Sequence, residues 1–248
     1  MRPERVPVAI LCGGRGTRLG PLTDASPKPL VPVLGRPFLG YQTDLLGRQL
    51  FRRFVYLTGY HGDQVESWLR HSFGDKLDMV FSREVEPLGT GGALWNARRH
   101  FEEPFLLLNG DSYLDLDYGA LLEALLAAPS GVVAMVATWR NPDPTGAIEA
   151  NNLALSENGA VTLYQKRGAS PRLTHVDAGA GAYRPGVFGF FRPDDRPPVS
   201  LEETIWPRAI AAGGIRAFPA AERPWDIGTP ERLAAFERRL SEKAALTT

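Results

Sequence analysis

The sequence predicts an α/β protein built on a mostly parallel sheet, and three observations carry that expectation. Short apolar runs of β character recur at Val6 to Leu11, Phe54 to Thr58, Leu77 to Phe81, Phe105 to Leu108 and Val132 to Thr138. Segments with helical spacing separate them, the alternation that βαβ units produce. The chain has 248 residues, 44% of them apolar, enough to bury a sizeable core without covalent staples.

After the first run, Phe38, Tyr41, Leu45, Leu46 and Leu50 fall on one helical face, and after the second Val65, Trp68, Leu69 and Phe73 do the same. A third helix is expected from near Thr90 through Leu94 and Trp95 to about His100. A fourth runs from Tyr118 to Ala128 and stops at Pro129. The first half therefore reads as β-α repeated four times. From about Asn141 the texture changes: a turn at Asn-Pro-Asp-Pro-Thr-Gly precedes strand-like pieces at Ala147 to Glu149, Leu153 to Leu155 and Val161 to Gln165. Asn158-Gly159 between the last two is a hairpin signal. Asp177 to Gly181 and the aromatic run Val187 to Phe191 read as further strands. Pro230 to about Lys243 is an amphipathic helix on Leu233, Phe236 and Leu240, with Thr229 and Pro230 as its N-cap and first residue. With no repeat and no low-complexity linker, one domain spanning 1–248 is expected.

Charge and cysteine usage narrow the function classes. Twenty-eight Lys+Arg balance 28 Asp+Glu, which removes the electrostatic argument for nucleic acid or an anionic membrane as partner. A lone Cys12 excludes an internal disulfide framework and a multi-cysteine metal site, so a reducing cytoplasm is the expected compartment. The start Met1-Arg2-Pro3-Glu4-Arg5 lacks the apolar stretch of a signal peptide, and no apolar run approaches the roughly 20 residues of a membrane span.

Four segments carry chemistry. The first, Leu11-Cys12-Gly13-Gly14-Arg15-Gly16-Thr17-Arg18-Leu19, follows a predicted strand and is itself followed by Pro27-Lys28-Pro29-Leu30. Glycines there let backbone N–H groups approach a phosphate chain, and Arg18 and Lys28 add cations for its oxygens. A tight turn that needs glycine is the alternative. A dinucleotide fingerprint starting at Gly14 fails at Leu19 and lacks an acid at Thr58-Gly59, and the chain holds no Gly-Lys-Ser/Thr of a P-loop. The second segment, Glu86-Pro87-Leu88-Gly89-Thr90-Gly91-Gly92-Ala93, lies after the third strand, where it faces the first loop. Gly89 there allows close packing of a flat ring; a loop with Thr90 as helix cap is the alternative. The third, Asn109-Gly110-Asp111-Ser112, ends a buried strand in an acid suited to Mg²⁺ or to a turn. The fourth, Trp225-Asp226-Ile227-Gly228-Thr229-Pro230, offers Asp226 as a second carboxylate if the chain returns to the sheet edge.

In order and spacing these segments resemble the sugar-1-phosphate nucleotidyltransferases, with G-G-x-G-T-R-L, P-K-P-L, L-G-T-G-G-A, N-G-D and D-I-G-T-P matched between about Val8 and Leu233. The heptose and mannose 1-phosphate guanylyltransferases are the most similar members. The resemblance implies a Rossmann-like three-layer fold of GT-A type, with a mixed, mostly parallel central sheet and helices on both faces. It implies a nucleotide-binding half at 1–140, a sugar-binding half at 141–229 and a C-terminal helix at 230–244. It further implies an NTP, GTP first, and mannose or manno-heptose 1-phosphate as substrates, Mg²⁺ as cofactor, and a homo-oligomer as one option, since many relatives assemble.

Carried over by position, Leu11, Gly13, Gly14, Gly16 and Thr17 wrap the nucleotide, and Arg18, Lys28 and Asp111 form the catalytic set. Glu86 to Gly89 with Thr90 meet the base, and Asp111 and Asp226 share the metal. Gly146, Gln165, Lys166, Asp177 and Gly179 hold the sugar phosphate. Gln165 and Asp177 depart from the Glu and Asn common in the family, which leaves the sugar open. Also open are a uridylyl- or thymidylyltransferase, a glycosyltransferase using Asp115-Leu116-Asp117, and a noncatalytic NDP-sugar-binding homologue. His61, His71, His100 and His175 fit no paired metal motif, and Cys12 reads as a small buried residue.

Overall fold

A computed structural model describes residues 2–143, 150–166 and 170–245. Strand β1 (Pro7–Cys12) leads through a long loop, with a small hairpin of β2 (Pro32–Val33) and β3 (Arg36–Pro37), into α1 (Phe38–Arg48). Three more strand–helix units follow: β4 (Arg53–Thr58) with α2 (Gly62–Phe73), β5 (Asp78–Arg83) with α3 (Gly89–Asn96), and β6 (Phe105–Asn109), with a short β7 (Ser112–Tyr113), before α4 (Tyr118–Ala127). The second half adds β8 (Ala134–Arg140), the hairpin of β9 (Leu153–Leu155) and β10 (Val161–Tyr164), and the long β11 (His175–Tyr183). It ends with α5 (Trp206–Ala211), β12 (Ile215–Pro219), β13 (Trp225–Asp226) and α6 (Pro230–Ala245). The fourfold β-α reading of the first half is borne out, as is the Asn158-Gly159 hairpin, where Gly159 takes φ +77°. The strand expected at Ala147 to Glu149 lies outside the described residues.

Two expectations change. The third helix ends at Asn96, and Arg98–His100 form a separate 3-10 turn, in which the Arg98 guanidinium packs over the Trp95 ring. Val187 to Phe191 is no strand: Pro185–Phe190 form a 3-10 segment. Its rings turn inward, Phe188 stacking on Phe105 and Phe191 on Trp95 at centroid distances of 6.2 and 5.0 Å. Aromatic packing overrides the strand propensity of those residues.

Among the described residues β5, β4, β1 and β6 form the parallel core of a nine-stranded sheet, with Ala9 opposite both Val55 and Leu107. β11 runs antiparallel to β6 and β8, and β12 pairs with β8 in parallel. Alternation along β1 shows why both faces are apolar. Val8, Ile10 and Cys12 pack with leucines of α1, α2 and α4, whereas Ala9 packs with Leu94 of α3 and Trp206 of α5. The result is the three-layer mixed sheet that the motifs imply. The chain steps outward from β1 to β4 and β5, then returns to β6 on the other side of β1. A crevice opens at the strand C-termini where that order reverses. No described helix is long and apolar enough to cross a membrane.

A third, smaller core ties α6 to the loop after β1: Leu19, Val31, Val33, Phe38, Ile227 and Phe236 are all buried. Phe236 meets Phe38 edge-on at 5.5 Å and lies 5.1 Å from the Tyr113 ring. Because Phe236 is fully buried, Phe236→Ala should cost about 3–5 kcal/mol in urea unfolding. A loss below about 1 kcal/mol would mean that α6 does not hold this core.

Candidate active site

The crevice is a cleft of about 800 Å³. Its walls are the C-terminal ends of the parallel strands: Leu11, Gly13 and Gly14 after β1, Gly59 and Tyr60 after β4, Glu84 to Pro87 after β5, and Asn109 to Asp111 after β6. The second half of the chain supplies Tyr164, Lys166, Asp177 and Glu202.

At its centre the Lys28 ammonium donates to Asp111 Oδ2 at 2.5 Å. Lys28 is buried, and Gly16 makes room for it, since a Cβ at Gly16 would lie 2.9 Å from Lys28 Cβ. Gly110 is fixed by closeness too: its N–H donates to Leu11 O at 3.0 Å, and a Cβ would sit 2.2 Å from that oxygen. The Gln42 amide of α1 donates to the carbonyls of Asn109 and Ser112, at 2.8 and 2.5 Å, and pins the turn that carries Asp111. Burial acts to raise the Asp111 carboxyl, but Lys28, the Ser112 hydroxyl and Arg18 outweigh it and hold the group below the ordinary carboxylate value.

Asp226 does come back to this edge. β13 pairs with β7 so that Asp226 lies opposite Ser112, and Ile227 N–H donates to Asp111 O at 3.1 Å. Its carboxylate accepts from Gly228 N–H and from Arg232, each at 2.6 Å. A Cβ on Gly228 would lie 2.6 Å from Asp226 Oδ1 and 3.2 Å from Arg18 Nη2, so Arg18 and Asp226 flank that glycine. Two carboxylates on adjacent backbone are a fitting donor set for a hard divalent cation that takes its other ligands from phosphate and water. No cluster of three or more metal-ligating side chains occurs among the described residues, so the protein alone offers no closed metal cage.

The Leu88 to Gly92 segment lines the cleft through Gly89 and Thr90, and its glycines have a second use that the sequence did not reveal. Gly89 has φ +77°, and a Cβ there would meet Val199 O at 2.5 Å. Gly91 and Gly92 N–H donate to that same oxygen at 2.9 and 3.2 Å, while Val199 N–H donates to Leu88 O at 2.7 Å. These glycines dock the 199–202 segment; Glu86 and Thr90 still line the cleft. Beside them stands Glu84, which single-sequence reading missed. Its Oε2 accepts the Leu88 N–H at 3.1 Å, and Oε1 packs against Gly13 and Gly59. Burial, only partly countered by the Leu88 N–H, pushes its carboxyl up. Arg15 over the Tyr60 ring at 4.9 Å is a second unforeseen part of this wall.

At the other end Asp177 is presented by an irregularity in β11, where the register to β8 shifts between Asp177 and Gly181. Asp177 Oδ1 accepts Gly179 N–H at 3.1 Å, and Asp177 N–H donates to Asn152 Oδ1 at 2.7 Å. Gly179 supports this bend without lining the cleft. Gln165 is exposed, its N–H bonded to Asn152 O. Thr17 is exposed at the start of a 3-10 turn, and Gly146 lies outside the described residues. Asp117 of the acid-x-acid sequence caps α4 by accepting Ala120 N–H at 2.9 Å, and Asp115 pairs with Lys243. Neither lines the cleft.

Burial and the neighbouring Glu202 push the Asp177 carboxyl up to about 7, against the pull of the Gly179 N–H. A carboxyl raised on folding stabilises the native state most below its unfolded value, and that contribution is lost as pH rises towards 7. Asp177→Asn cannot ionise, so the variant's Tm relative to wild type should climb between pH 4 and pH 8. A flat difference would sink the assignment.

With this geometry in view, the relatives are informative. The nucleotidyl transferase family model matches residues 8–243. The chain is 29% identical over 227 residues to the mannose-1-phosphate guanylyltransferase catalytic subunit beta of Drosophila melanogaster, covering 90% of this chain and 59% of that protein. It is 34% identical over 113 residues to the D-glycero-alpha-D-manno-heptose 1-phosphate guanylyltransferase of Campylobacter jejuni, covering 45% of this chain and 50% of that one. The chain thus spans half to three fifths of the length of these curated relatives. The structure of HddC from Yersinia pseudotuberculosis complexed with GMP-PN superposes with a TM-score of 0.78 at 26% identity, over 95% of this chain and 99% of that one. A putative glucose-1-phosphate thymidylyltransferase from Bacillus anthracis, 20% identical with a TM-score of 0.79 over 94% and 96% of the two chains, shares the fold. The family match over almost the whole chain, on a sheet whose strand ends gather the first three motifs into one cleft and set the fourth against the Asp111 turn, means that this chain belongs to the nucleotidyl transferase family.

Proposed function

We propose that the chain joins an NTP to a sugar 1-phosphate, giving an NDP-sugar and pyrophosphate. The observation that carries the reading is the Lys28–Asp111 pair at the reversal of strand order. A glycine loop, Arg18, Lys166 and Asp177 line the same cleft. One oxygen of the sugar phosphate attacks the α-phosphorus, the bond from that phosphorus to the α–β bridging oxygen breaks, and pyrophosphate leaves. The attacking oxygen is already anionic, so the protein needs no side-chain nucleophile. Its task is to align two anions and offset their repulsion. Arg18 and Lys28 supply positive charge on the triphosphate side, Lys166 on the acceptor side. Asp111 and Asp226 would hold Mg²⁺, which supplies charge neutralisation at the phosphate oxygens.

Guanine is the proposed base because of Glu84. A carboxylate accepts the adjacent N1–H and N2–H₂ donors of guanine, whereas uracil and thymine present carbonyls on both sides of their one N–H and are repelled. The guanylyltransferase relatives and the GMP-PN complex of HddC support the same base. Mannose or manno-heptose 1-phosphate is the proposed acceptor on the strength of those relatives.

Pyrophosphate release across four NTPs and the two acceptors tests both parts. Release should require both substrates and fall about 10²–10³-fold in Asp111→Asn, with much less effect on NTP affinity. Nucleotide binding without turnover on any pair would favour a binding homologue, and NDP-sugar consumption without pyrophosphate a glycosyltransferase. Glu84→Gln should lower kcat/KM for GTP about tenfold or more and narrow the gap to UTP. An unchanged gap would remove Glu84 from base selection.

A further inference from the structure

Thr90 lines the cleft, and its hydroxyl is committed to protein partners. Its hydroxyl donates to Glu202 Oε2 at 2.8 Å and accepts Leu201 N–H at 2.9 Å. The same Glu202 oxygen takes the Ser200 hydroxyl at 3.0 Å, so its position is set twice. Around it the backbone of the glycine loop is riveted to Val199, as described above. A motif that opens the helix beside the nucleotide end therefore grips a carboxylate that lines the acceptor end, 112 residues later in sequence.

Glu202 and Asp177 stand in that end of the cleft together with Tyr164 and Lys166. Among the described residues neither carboxylate has a cation in ion-pair reach: Lys166 pairs with Glu203 at 3.2 Å, not with them. Asp177 holds Gly179 N–H through Oδ1, and Glu202 holds its two hydroxyls through Oε2. One oxygen of each is left to accept from something in the cleft. The negative field there is strong enough to push up Asp177, and Tyr164 and Tyr183 as well, burial being the larger cause in each case.

Building on the nucleotidyltransferase reading, we propose that Glu202 is a specificity-determining residue for the acceptor and that Thr90 is its positioning residue. With Asp177, Glu202 forms a two-carboxylate pocket that accepts hydrogen bonds from the hydroxyls of an uncharged sugar 1-phosphate and rejects a sugar acid. A carboxylate on the acceptor would face two acids while the cation beside them, Lys166, is engaged by Glu203, and like charges brought together out of water are strongly disfavoured. The acceptor's phosphate is spared this repulsion because Arg18 and Lys28 line the cleft beside Asp111.

The test compares wild type with Thr90→Val, Thr90→Ser and Glu202→Gln, using mannose 1-phosphate and glucuronic acid 1-phosphate as acceptors and calorimetry for GTP binding. Thr90→Val should raise the KM for mannose 1-phosphate about tenfold while the Kd for GTP stays within about twofold, and Thr90→Ser should restore it. Glu202→Gln should weaken the neutral acceptor and at the same time admit the glucuronate, which wild type refuses. Equal losses in GTP affinity and acceptor KM on Thr90→Val would make Thr90 a nucleotide residue and overturn the strut. A Glu202→Gln enzyme with both acceptors unchanged would overturn the pocket. If Thr90→Val fails to fold by circular dichroism, the Glu202→Gln comparison decides alone. Wild type that releases no pyrophosphate sinks the parent reading and this one together, whereas wild-type turnover with unaltered variants sinks this one only.

Discussion

A buried lysine is the constraint on which the catalytic edge depends. Lys28 cannot be taken from water without a carboxylate against it, and Asp111 meets it at 2.5 Å. Breaking a fully buried pair costs about 3–5 kcal/mol. Here the Asp111 side chain keeps 35% of its exposure, so solvent screens the pair and the cost is smaller. That partial exposure is what makes the pair useful, because the same carboxylate and ammonium remain within reach of a ligand in the cleft. Much of the surrounding sequence serves the pair: Gly16 clears space for the lysine, Gly110 lets the β6 turn press on β1, and Gln42 clamps that turn from α1.

The sheet has one reversal of direction that matters chemically. Four parallel strands bring their C-termini, and hence their loops, to one edge. β11 then enters antiparallel beside β6, so residues from its start arrive at that same edge. Asp177 sits where β11 loses register with β8, and the bend turns its carboxylate into the cleft instead of into the ladder. Both ends of the cleft therefore hang on one sheet, and the 199–202 segment bolts the Glu202 wall back onto the start of α3.

Much of this was legible because it is locally encoded. Strands covered on both faces read as apolar runs, so β1, β4, β5, β6 and β8 could be found to within a few residues. Gly13, Gly14, Lys28 and Asp111 stood out because their segments follow one another in a set order and spacing, although each alone fits a turn equally well. What stayed hidden is long-range. No pattern near Glu84, Gln42 or Tyr60 distinguishes them from ordinary loop or helix polars, and Glu202 becomes interesting only when Thr90 is beside it. Gly89 shows the same limit from the other side: the need for glycine was plain, but its cause, the Val199 carbonyl, lies 110 residues away. Val187 to Phe191 misled because aromatic residues favour strands locally, while here Phe188 and Phe191 join the rings of Trp95, Phe101, Phe105 and Tyr183.

The C-terminal helix belongs to this machinery and is not an appendage to it. Its first turn supplies Arg232, which holds Asp226 Oδ2 at 2.6 Å, and its middle supplies Phe236, the centre of the third core. The two-residue ladder of β13 with β7 is too short to be stable alone, so the packing of α6 is what keeps Asp226 opposite Ser112. The charge logic matches that of Lys28: Asp111 and Asp226 are each matched by a cation from an element outside the parallel sheet. Any divalent ion that Asp226 is to ligate must compete with Arg232, just as one at Asp111 must compete with Lys28. Were the two acids to hold a divalent ion as proposed, this competition would lower affinity for a bare ion and favour one already paired with phosphates, whose oxygens would give Lys28 and Arg18 new anions to meet.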